Sequence, residues 1–354
     1  MIKHSGKCLC LALAILSLNF NGVFAGNKDR AGQAGASELL INPWAKSAGW
    51  GGVNVASVRG MEASFLNVAG TAFVKKTEVG FTYTKYLKGS DINISSFGFS
   101  QKLGASSVIT ISLMSMSFGD IQVTTTDLPE GGLGTFSPQY LNFGLSYAKA
   151  FSNSIYGGIT LKGVSESITD VKASGICFDA GIMYLTGTNE AKDNLKFGIT
   201  LKNVGTPMTF SGDGLSFRSN PPVAGNYQLT VEQRAEKFEI PSLVDIGVTY
   251  DWQLAADHTL STAVNFISNS FSNDQYGGGV EYTYKKMFSL RTGYVFESKI
   301  GDAVESTTTS KGLSAGFTAE LPLGKSGKSL GLDYSYSTTR YFDGTHRIGV
   351  RLAL

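Results

Sequence analysis

The sequence predicts an all-β fold, a transmembrane antiparallel β-barrel of about fourteen strands, from three observations. Only 16% of the residues are charged, well below the value of roughly 25% that is usual for soluble domains. Apolar and polar residues alternate along segments of about ten residues, the length that a tilted strand needs to cross a bilayer. The intervals between these segments are alternately short and long, which is typical of bacterial barrels.

Residues 1–25 have the features of a secretory signal peptide. Lys3 and Lys7 give a positive start, residues 9–20 are mostly apolar, and Val23 and Ala25 occupy the −3 and −1 positions of a cleavage site. The apolar run is too short for a good transmembrane helix, and no later segment is apolar for the roughly 18 residues that such a helix needs. We therefore expect an exported protein of the cell outer membrane, held there by strands.

Charge and cysteine content argue against several classes of function. Removal of Lys3 and Lys7 with the signal leaves equal numbers of basic and acidic residues, so a nucleic-acid partner, which needs a basic surface, is not expected. Cys177 is then the single cysteine, and an internal disulfide is excluded. Because no Cys/His pair is evident, a structural thiol is the more common interpretation than a catalytic one.

Alternation is clearest at the C-terminus, where Ile348, Val350, Leu352 and Leu354 are separated by glycine, alanine or arginine. In a barrel the aliphatic set faces lipid and the arginines face the lumen. The same pattern predicts strands around residues 78–84, 141–147, 155–161, 176–184, 195–202, 244–252, 260–266, 276–285, 290–297, 313–321 and 330–336.

Two further strands, around residues 92–99 and 109–118, change phase along their length. Ile92 and Ile94 are out of phase with Phe97 and Phe99, which predicts a β-bulge near residues 95–96. A similar slip follows Leu113. With these two segments the predicted strands number fourteen, and the two slips are candidate kinks in the barrel wall.

The connections test this count independently. If both ends of the barrel domain are periplasmic, the turns near residues 103–104, 152–153, 186–193, 254–257, 286–287 and 324–327 are periplasmic, and all are short. The long intervals, residues 119–139, 204–240 and 298–310, then fall on the outer side. One missed or invented strand would break this agreement.

Residues 26–75 precede the barrel, residues 76–354, and show no transmembrane alternation. They contain Trp44, Trp50 and many Gly and Ala residues, and small residues let backbones pack closely. We predict that this segment is a hatch folded into the lumen. The alternative is an N-terminal periplasmic segment that lies against the barrel mouth.

No group of residues predicts catalysis, a cofactor or a metal site, so we expect a protein that is not an enzyme. The mature histidines lack partners at metal-ligand spacing, and the glycine runs lack the following Lys-Ser/Thr of a phosphate loop. Charges predicted to face the lumen, such as Arg291 with Glu297 or Lys285 with Glu281, could form a hydrophilic pathway or, more commonly, a stabilising lattice. The interval 204–240 is long enough to be functional, as a partner-binding loop or as an ordinary surface loop.

Three sequence elements carry a resemblance to a known family. They are residues 34–49 (Ala-Gly-Ala-Ser-Glu-Leu-Leu-Ile-Asn-Pro-Trp-Ala-Lys-Ser-Ala-Gly) with the following Gly-Gly-Val-Asn-Val-Ala of residues 51–56, Leu66-Asn67-Val68-Ala69-Gly70, and Leu201-Lys202-Asn203-Val204-Gly205. Together they resemble the PorV/PorQ family of Bacteroidetes, and the opening is similar to a paralogue of those two proteins. The second element resembles an Asn-Pro-Ala-Gly motif shared with FadL-type fatty-acid transporters, with valine in place of proline.

The resemblance implies a fourteen-stranded FadL-like barrel with an N-terminal hatch and a role in the type IX protein secretion system. Its members contact outer-membrane lipid and bind a translocon barrel, an attachment complex or secreted cargo. We therefore expect a non-enzymatic secretion component that binds such partners through its outer loops and rim. The alternative is a FadL-type transporter of hydrophobic small molecules, with lipid or detergent in the lumen and release through a strand kink. An open porin fits less well, because residues 26–73 would have to lie elsewhere.

Overall fold

The computed structural model describes residues 26–186, 193–220, 227–302, 304–324 and 327–354, so the predicted signal peptide, residues 1–25, lies outside the described residues. Within the described part, fourteen antiparallel strands form a closed barrel in sequence order. The first strand pairs with the last, from Glu78 opposite Ala353 to Lys85 opposite His346. The predicted fold class and strand number are confirmed.

The barrel strands follow the predicted segments and are numbered here in chain order. They are β1 Thr77–Lys85, β2 Asn93–Leu103, β3 Ser107–Ser117, β4 Gln139–Ala150, β5 Ile155–Ile168, β6 Val171–Leu185, β7 Asp193–Gly205, β8 Leu243–Ala255, β9 His258–Asn269, β10 Gln275–Tyr284, β11 Phe288–Glu297, β12 Ser310–Leu323, β13 Lys328–Thr339 and β14 Thr345–Ala353.

Alternation along each strand separates a lipid-facing side from a lumen-facing side. In β4, the exposed residues Leu141, Phe143, Leu145 and Tyr147 alternate with buried residues that point inward. The same exposed apolar band continues around the barrel, for example at Leu161 of β5. A bilayer accounts for so large an exposed apolar surface, because a soluble monomer rarely carries one.

The lengths of the connections orient the barrel. The turns after β2, β4, β8, β10 and β12 are short, as predicted, and the turn after β6 lies largely outside the described residues. The predicted long intervals connect β3 to β4, β7 to β8 and β11 to β12, all at the opposite end, which is therefore the extracellular end. Two of these loops carry small hairpins, Ile121–Gln122 with Thr135–Phe136 and Ser216–Ser219 with Leu229–Glu232.

The β-bulge predicted near residues 95–96 and the slip predicted after Leu113 are both wrong. β2 pairs without a register shift with β1 and β3 through this region. Ile94, Met114 and Met116 keep the lumen-facing phase of their strands and are buried there. The apparent change of phase therefore marks apolar side chains that face the lumen, and it is not a kink in the wall.

Residues 26–75, called the hatch below, pack against the inner side of the barrel. They contain two short helices, α1 Ala45–Ala48 and α2 Ala63–Leu66, and three 3-10 turns, Lys28–Arg30, Ser37–Leu40 and Val68–Phe73. No helix among the described residues is long and apolar enough to cross a membrane. Because Leu39, Val53, Val55 and Ala63 have no exposed surface, the hatch and the wall form one packed interior.

The lipid-facing band can be tested by placing a charge on it. Leu161→Arg, at the middle of β5, should destabilise the barrel by about 2–4 kcal/mol, the cost of an arginine at the bilayer midplane. The same change in an outer loop, Leu133→Arg, is a matched control because Leu133 is exposed to water on the extracellular side. Urea unfolding in lipid vesicles measures the difference, and equal stabilities of the two variants would contradict the assignment of faces.

Candidate functional site

A belt of glycines faces the lumen near the middle of the barrel, and the hatch lies directly on it. Its members are Gly80, Gly98, Gly181, Gly198, Gly247, Gly277, Gly279, Gly293, Gly316 and Gly349, each within 4 Å of a hatch atom when a Cβ is added. A Cβ on Gly293 would overlap the carbonyl oxygen of Trp50, and one on Gly198 would lie 2.6 Å from the carbonyl oxygen of Val55. The wall therefore needs glycine where the hatch backbone approaches it.

Asn67, the asparagine of the Leu-Asn-Val-Ala-Gly element, ties the hatch to the wall. Its Nδ2 donates to the carbonyl oxygen of Val55 in the hatch at 3.1 Å and to that of Ile182 in β6 at 3.2 Å. Its Oδ1 accepts from the backbone N–H of Ala69 at 3.2 Å. A Cβ on Gly181 would overlap this side chain. The shared sequence element is thus the point where one buried amide joins two parts of the fold.

The side of the lumen formed by β10–β14 carries a network of charged and hydroxyl groups. The Arg291 Nε lies 2.6 Å from Glu281 Oε2, and the Trp50 Nε1 donates to the same oxygen at 3.2 Å. The Arg291 Nη2 donates to Thr318 Oγ1 at 2.7 Å, and Thr318 donates in turn to Asp333. Most of the groups are paired with one another, which favours a stabilising lattice over an open hydrophilic pathway.

The lumen pairs predicted from the sequence, Arg291 with Glu297 and Lys285 with Glu281, are wrong. Arg291 stands directly across the β10–β11 ladder from Glu281, so this pair forms between strands. Glu297 lies at the extracellular end of β11 and accepts from Gln275 Nε2 at 2.8 Å. Lys285 belongs to the turn after β10 and is outside the lumen.

Glu62 places a nearly fully buried carboxylate between the hatch and this network. The backbone N–H of Ser47 donates to its Oε2 at 3.2 Å, whereas its Oε1 has no hydrogen-bond partner within the described residues. Lys46, Asp333 and Arg351 line the same cavity of about 10 Å³. Burial is the largest influence on this carboxylate and raises the pKa of Glu62 to about 7.

The side of the lumen formed by β2–β6 is apolar in its extracellular half. Leu39 of the hatch packs there with Ile94, Met116 and Tyr140 of the wall and with Met208 of the loop after β7. A neighbouring cavity, lined by Trp44, Phe65, Met114 and Lys162 among others, has a volume of about 20 Å³. This is room for about one water, so in this arrangement hatch side chains take the space that a hydrophobic ligand would need.

The wall departs from regular pairing where β6 meets β7. The register shifts between Phe178 and Ala180, and Asn203 of β7 takes a φ of 58°, a conformation that asparagine tolerates better than most residues. Lys162 Nζ lies 2.5 Å from Asp179 Oδ2 and donates to Asn203 Oδ1 at 2.9 Å. These buried contacts link Lys162 of β5, Asp179 of β6 and Asn203 of β7 at the bulge.

The same bulge connects the wall to the hatch and to the longest outer loop. Asn203 Nδ2 donates to the carbonyl oxygen of Pro241 at 3.1 Å, at the end of that loop. The neighbouring Lys202 Nζ lies 3.8 Å from the centre of the Phe65 ring in the hatch. The Leu-Lys-Asn-Val-Gly element of the sequence is therefore the junction of three parts of the molecule.

The sequence predicts no catalytic, cofactor-binding or metal-binding residue, and this absence stays a prediction. Within the described residues no group of three or more His, Cys, Asp or Glu side chains could hold a metal ion. Cys177 is buried in the apolar cluster around Leu39. The candidate functional regions are therefore the interface between hatch and wall and the extracellular loops.

Comparison with known proteins supports the resemblance seen in the sequence. Residues 24–187 match the family model of the type IX secretion system protein PorV. None of the curated proteins matches the chain significantly in sequence. The family match confirms the predicted resemblance and places the protein in the outer membrane.

Solved structures with the same fold include three transport proteins. The CymD monoaromatic hydrocarbon channel is 13% identical with a TM-score of 0.53. The Ralstonia pickettii toluene transporter TbuX is 14% identical with a TM-score of 0.51, and the Pseudomonas putida toluene transporter TodX is 11% identical with a TM-score of 0.53. Each alignment covers 88% of this chain and 97% of the other. At these identities the similarity shows a common FadL-like fold alone.

The glycine belt predicts that a side chain on the lumen face displaces the hatch. Gly293→Val should do so because its Cβ would overlap the Trp50 carbonyl group. Gly278→Val is the matched control, since a Cβ there meets nothing within 4 Å. Protease sensitivity of residues 26–75 in the purified barrel should rise in the first variant alone, and protection equal to that of the control would contradict the proposed packing.

The raised pKa of Glu62 predicts that the hatch is held more tightly at low pH. In the released hatch the carboxyl has its ordinary pKa of 4.5, against about 7 when docked. Docking is therefore strongest below pH 4.5 and weakens as the pH rises through about 7, by at most about 3 kcal/mol. The nearby charges of Lys46 and Arg351 lower the pKa of Glu62 and that of Asp333 raises it, but burial outweighs them.

Tryptophan fluorescence measures the effect, because Trp44 and Trp50 are in the hatch and the remaining Trp252 can be replaced by phenylalanine. Urea release of the hatch should need less denaturant at pH 8 than at pH 5. Glu62→Gln should abolish that difference, and Glu130→Gln, an exposed loop carboxylate, should leave it unchanged. A pH dependence that survives in Glu62→Gln would assign it to another group.

Proposed function

We propose that this protein, whose residues 24–187 match the family model of PorV, is a non-enzymatic component of type IX secretion that binds a protein partner through its outer loops and rim. The family match is the observation that carries the proposal. The filled lumen is consistent with it, because binding at the rim needs no passage through the barrel. Candidate partners are the translocon, an attachment complex or secreted cargo.

The described parts of the loop between β7 and β8, residues 206–220 and 227–242, have an anchored base and exposed apolar side chains beyond it. Met208 is buried, and its backbone exchanges hydrogen bonds with that of Phe238, each at 2.9 Å. Beyond this pair the hairpin exposes Phe217, Tyr227 and Leu229. An apolar surface that is held by an anchored backbone and lies outside the bilayer is typical of a protein-binding site, because lipid does not cover it.

The loop between β3 and β4 offers a second surface of the same kind. Ile121, Leu128 and Leu133 are all exposed, although this segment lies beyond the extracellular ends of the strands. Ile121 belongs to the small hairpin, which pairs it with Phe136 and limits the flexibility of the loop. Both loops thus present apolar side chains on partly ordered backbone, which lowers the entropic cost of binding.

Transport of hydrophobic small molecules is the second candidate function. The FadL-like fold and the apolar half of the lumen around Leu39 favour it. The continuous pairing at Ser95 and Leu113 removes the two predicted kinks through which a ligand would leave. Because the cavity beside the hatch holds only about 20 Å³, transport would also require the hatch to move.

Affinity purification from the native outer membrane tests the preferred function. The tagged protein should recover type IX secretion proteins, and the double variant Phe217→Asp with Leu229→Asp should lose most of that recovery because it places charges on the apolar hairpin. Val304→Asp is the control, since Val304 is a highly exposed apolar residue of another outer loop. Recovery of the unmodified barrel alone, together with uptake of a hydrocarbon into vesicles that contain it, would favour transport instead.

A further inference from the structure

We infer that the hatch begins outside the cell: residues 26–41, called the arm, emerge from the lumen at the extracellular mouth and cover it together with the two described limbs of the long loop, residues 206–220 and 227–242. A hatch that plugs a barrel needs only to lie within the lumen. Here its first residues reach the outer surface, whereas its last residues enter β1 at the periplasmic end. The chain therefore runs through the whole lumen from outside to inside.

The first described residues contact the extracellular loop between β9 and β10. The backbone N–H of Asn27 donates to the carbonyl oxygen of Asn269, the last residue of β9, at 3.2 Å. The Arg30 guanidinium lies 4.2 Å from the centre of the Phe271 ring in that loop. At the other end of the barrel, the backbone N–H of Leu354 donates to the carbonyl oxygen of Thr77 at 2.8 Å.

The arm then joins the returning limb of the long loop. Ala34 pairs with Glu239 in a parallel β-bridge, and the backbone N–H of Gly35 donates to the carbonyl oxygen of Glu239 at 3.0 Å. The Arg30 Nη2 lies 2.8 Å from Glu239 Oε1. A Cβ on Gly35 would overlap the Phe238 ring, so the arm and loop touch without space between them.

Below this bridge the arm and the loop share one apolar core with the wall. Ala36 and Leu39 from the arm and Met208 and Ile240 from the loop are buried together against Met116 of β3. On the β2–β6 side of the extracellular mouth, three separate parts of the chain thus contribute to one buried cluster. A molecule that binds the long loop from outside therefore contacts a segment that packs directly on the arm, and the arm continues into the rest of the hatch.

Chemical labelling of intact cells tests where the arm begins. Asn27→Cys is made in a Cys177→Ser background and treated with a membrane-impermeant maleimide. Glu130→Cys, in an outer loop, and Asp257→Cys, in a periplasmic turn, are the controls. Asn27→Cys should be labelled in intact cells as Glu130→Cys is, whereas Asp257→Cys should need permeabilised cells. Labelling of Asn27→Cys only after permeabilisation would overturn the inference.

A second experiment tests the contact between arm and loop. Gly35→Val should push the arm away from Phe238, and trypsin added to intact cells should then cut the loop faster at Arg234 and Lys237, both of which are exposed. Ala31→Val adds the same bulk at an exposed position of the arm and should leave the rate unchanged. Equal cleavage rates in both variants and the parent protein would show that the arm does not hold the loop, even if Asn27 is extracellular.

Discussion

The close approach of the hatch backbone to the barrel wall is the constraint on which the rest of this structure depends. A fourteen-stranded barrel is too wide for its own side chains to fill, so its lumen must hold water, a ligand or another part of the chain. Here the hatch fills it, and glycines such as Gly293 and Gly198 are needed where backbone meets backbone. The buried amide of Asn67 then fixes the position of the hatch along the wall.

The two sides of the lumen hold the hatch by different physical means. On the β10–β14 side, hydrogen bonds such as that from Trp50 to Glu281 are directional and set its orientation. On the β2–β6 side, burial of Leu39 and its neighbours supplies non-directional stabilisation that is proportional to the area covered. The polar side therefore sets the orientation of the hatch, and the apolar side adds stabilisation by burial. Glu62 makes the docking of the hatch sensitive to protonation.

Sequence alone predicted the wall well and the lumen poorly, for a physical reason. Alternation is a property of single segments and loop parity is a property of their order along the chain, so both can be read without knowing the contents of the lumen, and they predict the strand number and the orientation of the loops. Whether an apolar residue such as Ile94 or Met114 faces lipid or a packed lumen depends on what fills the barrel, so the sequence predicts a bulge where the structure has a lumen-facing apolar set. Ion pairs likewise depend on register between strands, and Arg291 consequently meets Glu281 and not Glu297.

The packing of the hatch also decides which of the two candidate functions would break fewer buried contacts. Passage of a solute would require breaking the contacts of Asn67 with the wall, of Trp50 with the glycine belt and of Leu39 with the apolar cluster, all of which are buried. Binding of a protein at the extracellular rim requires none of these changes, because the exposed side chains of the outer loops are already presented there. A partner that instead drew the long loop outward would pull on the bulge through the hydrogen bond of Asn203 to the loop. It would also pull on the hatch through the contact of Lys202 with Phe65. Rim binding and movement of the hatch are therefore linked by the fold, and the first can occur without the second.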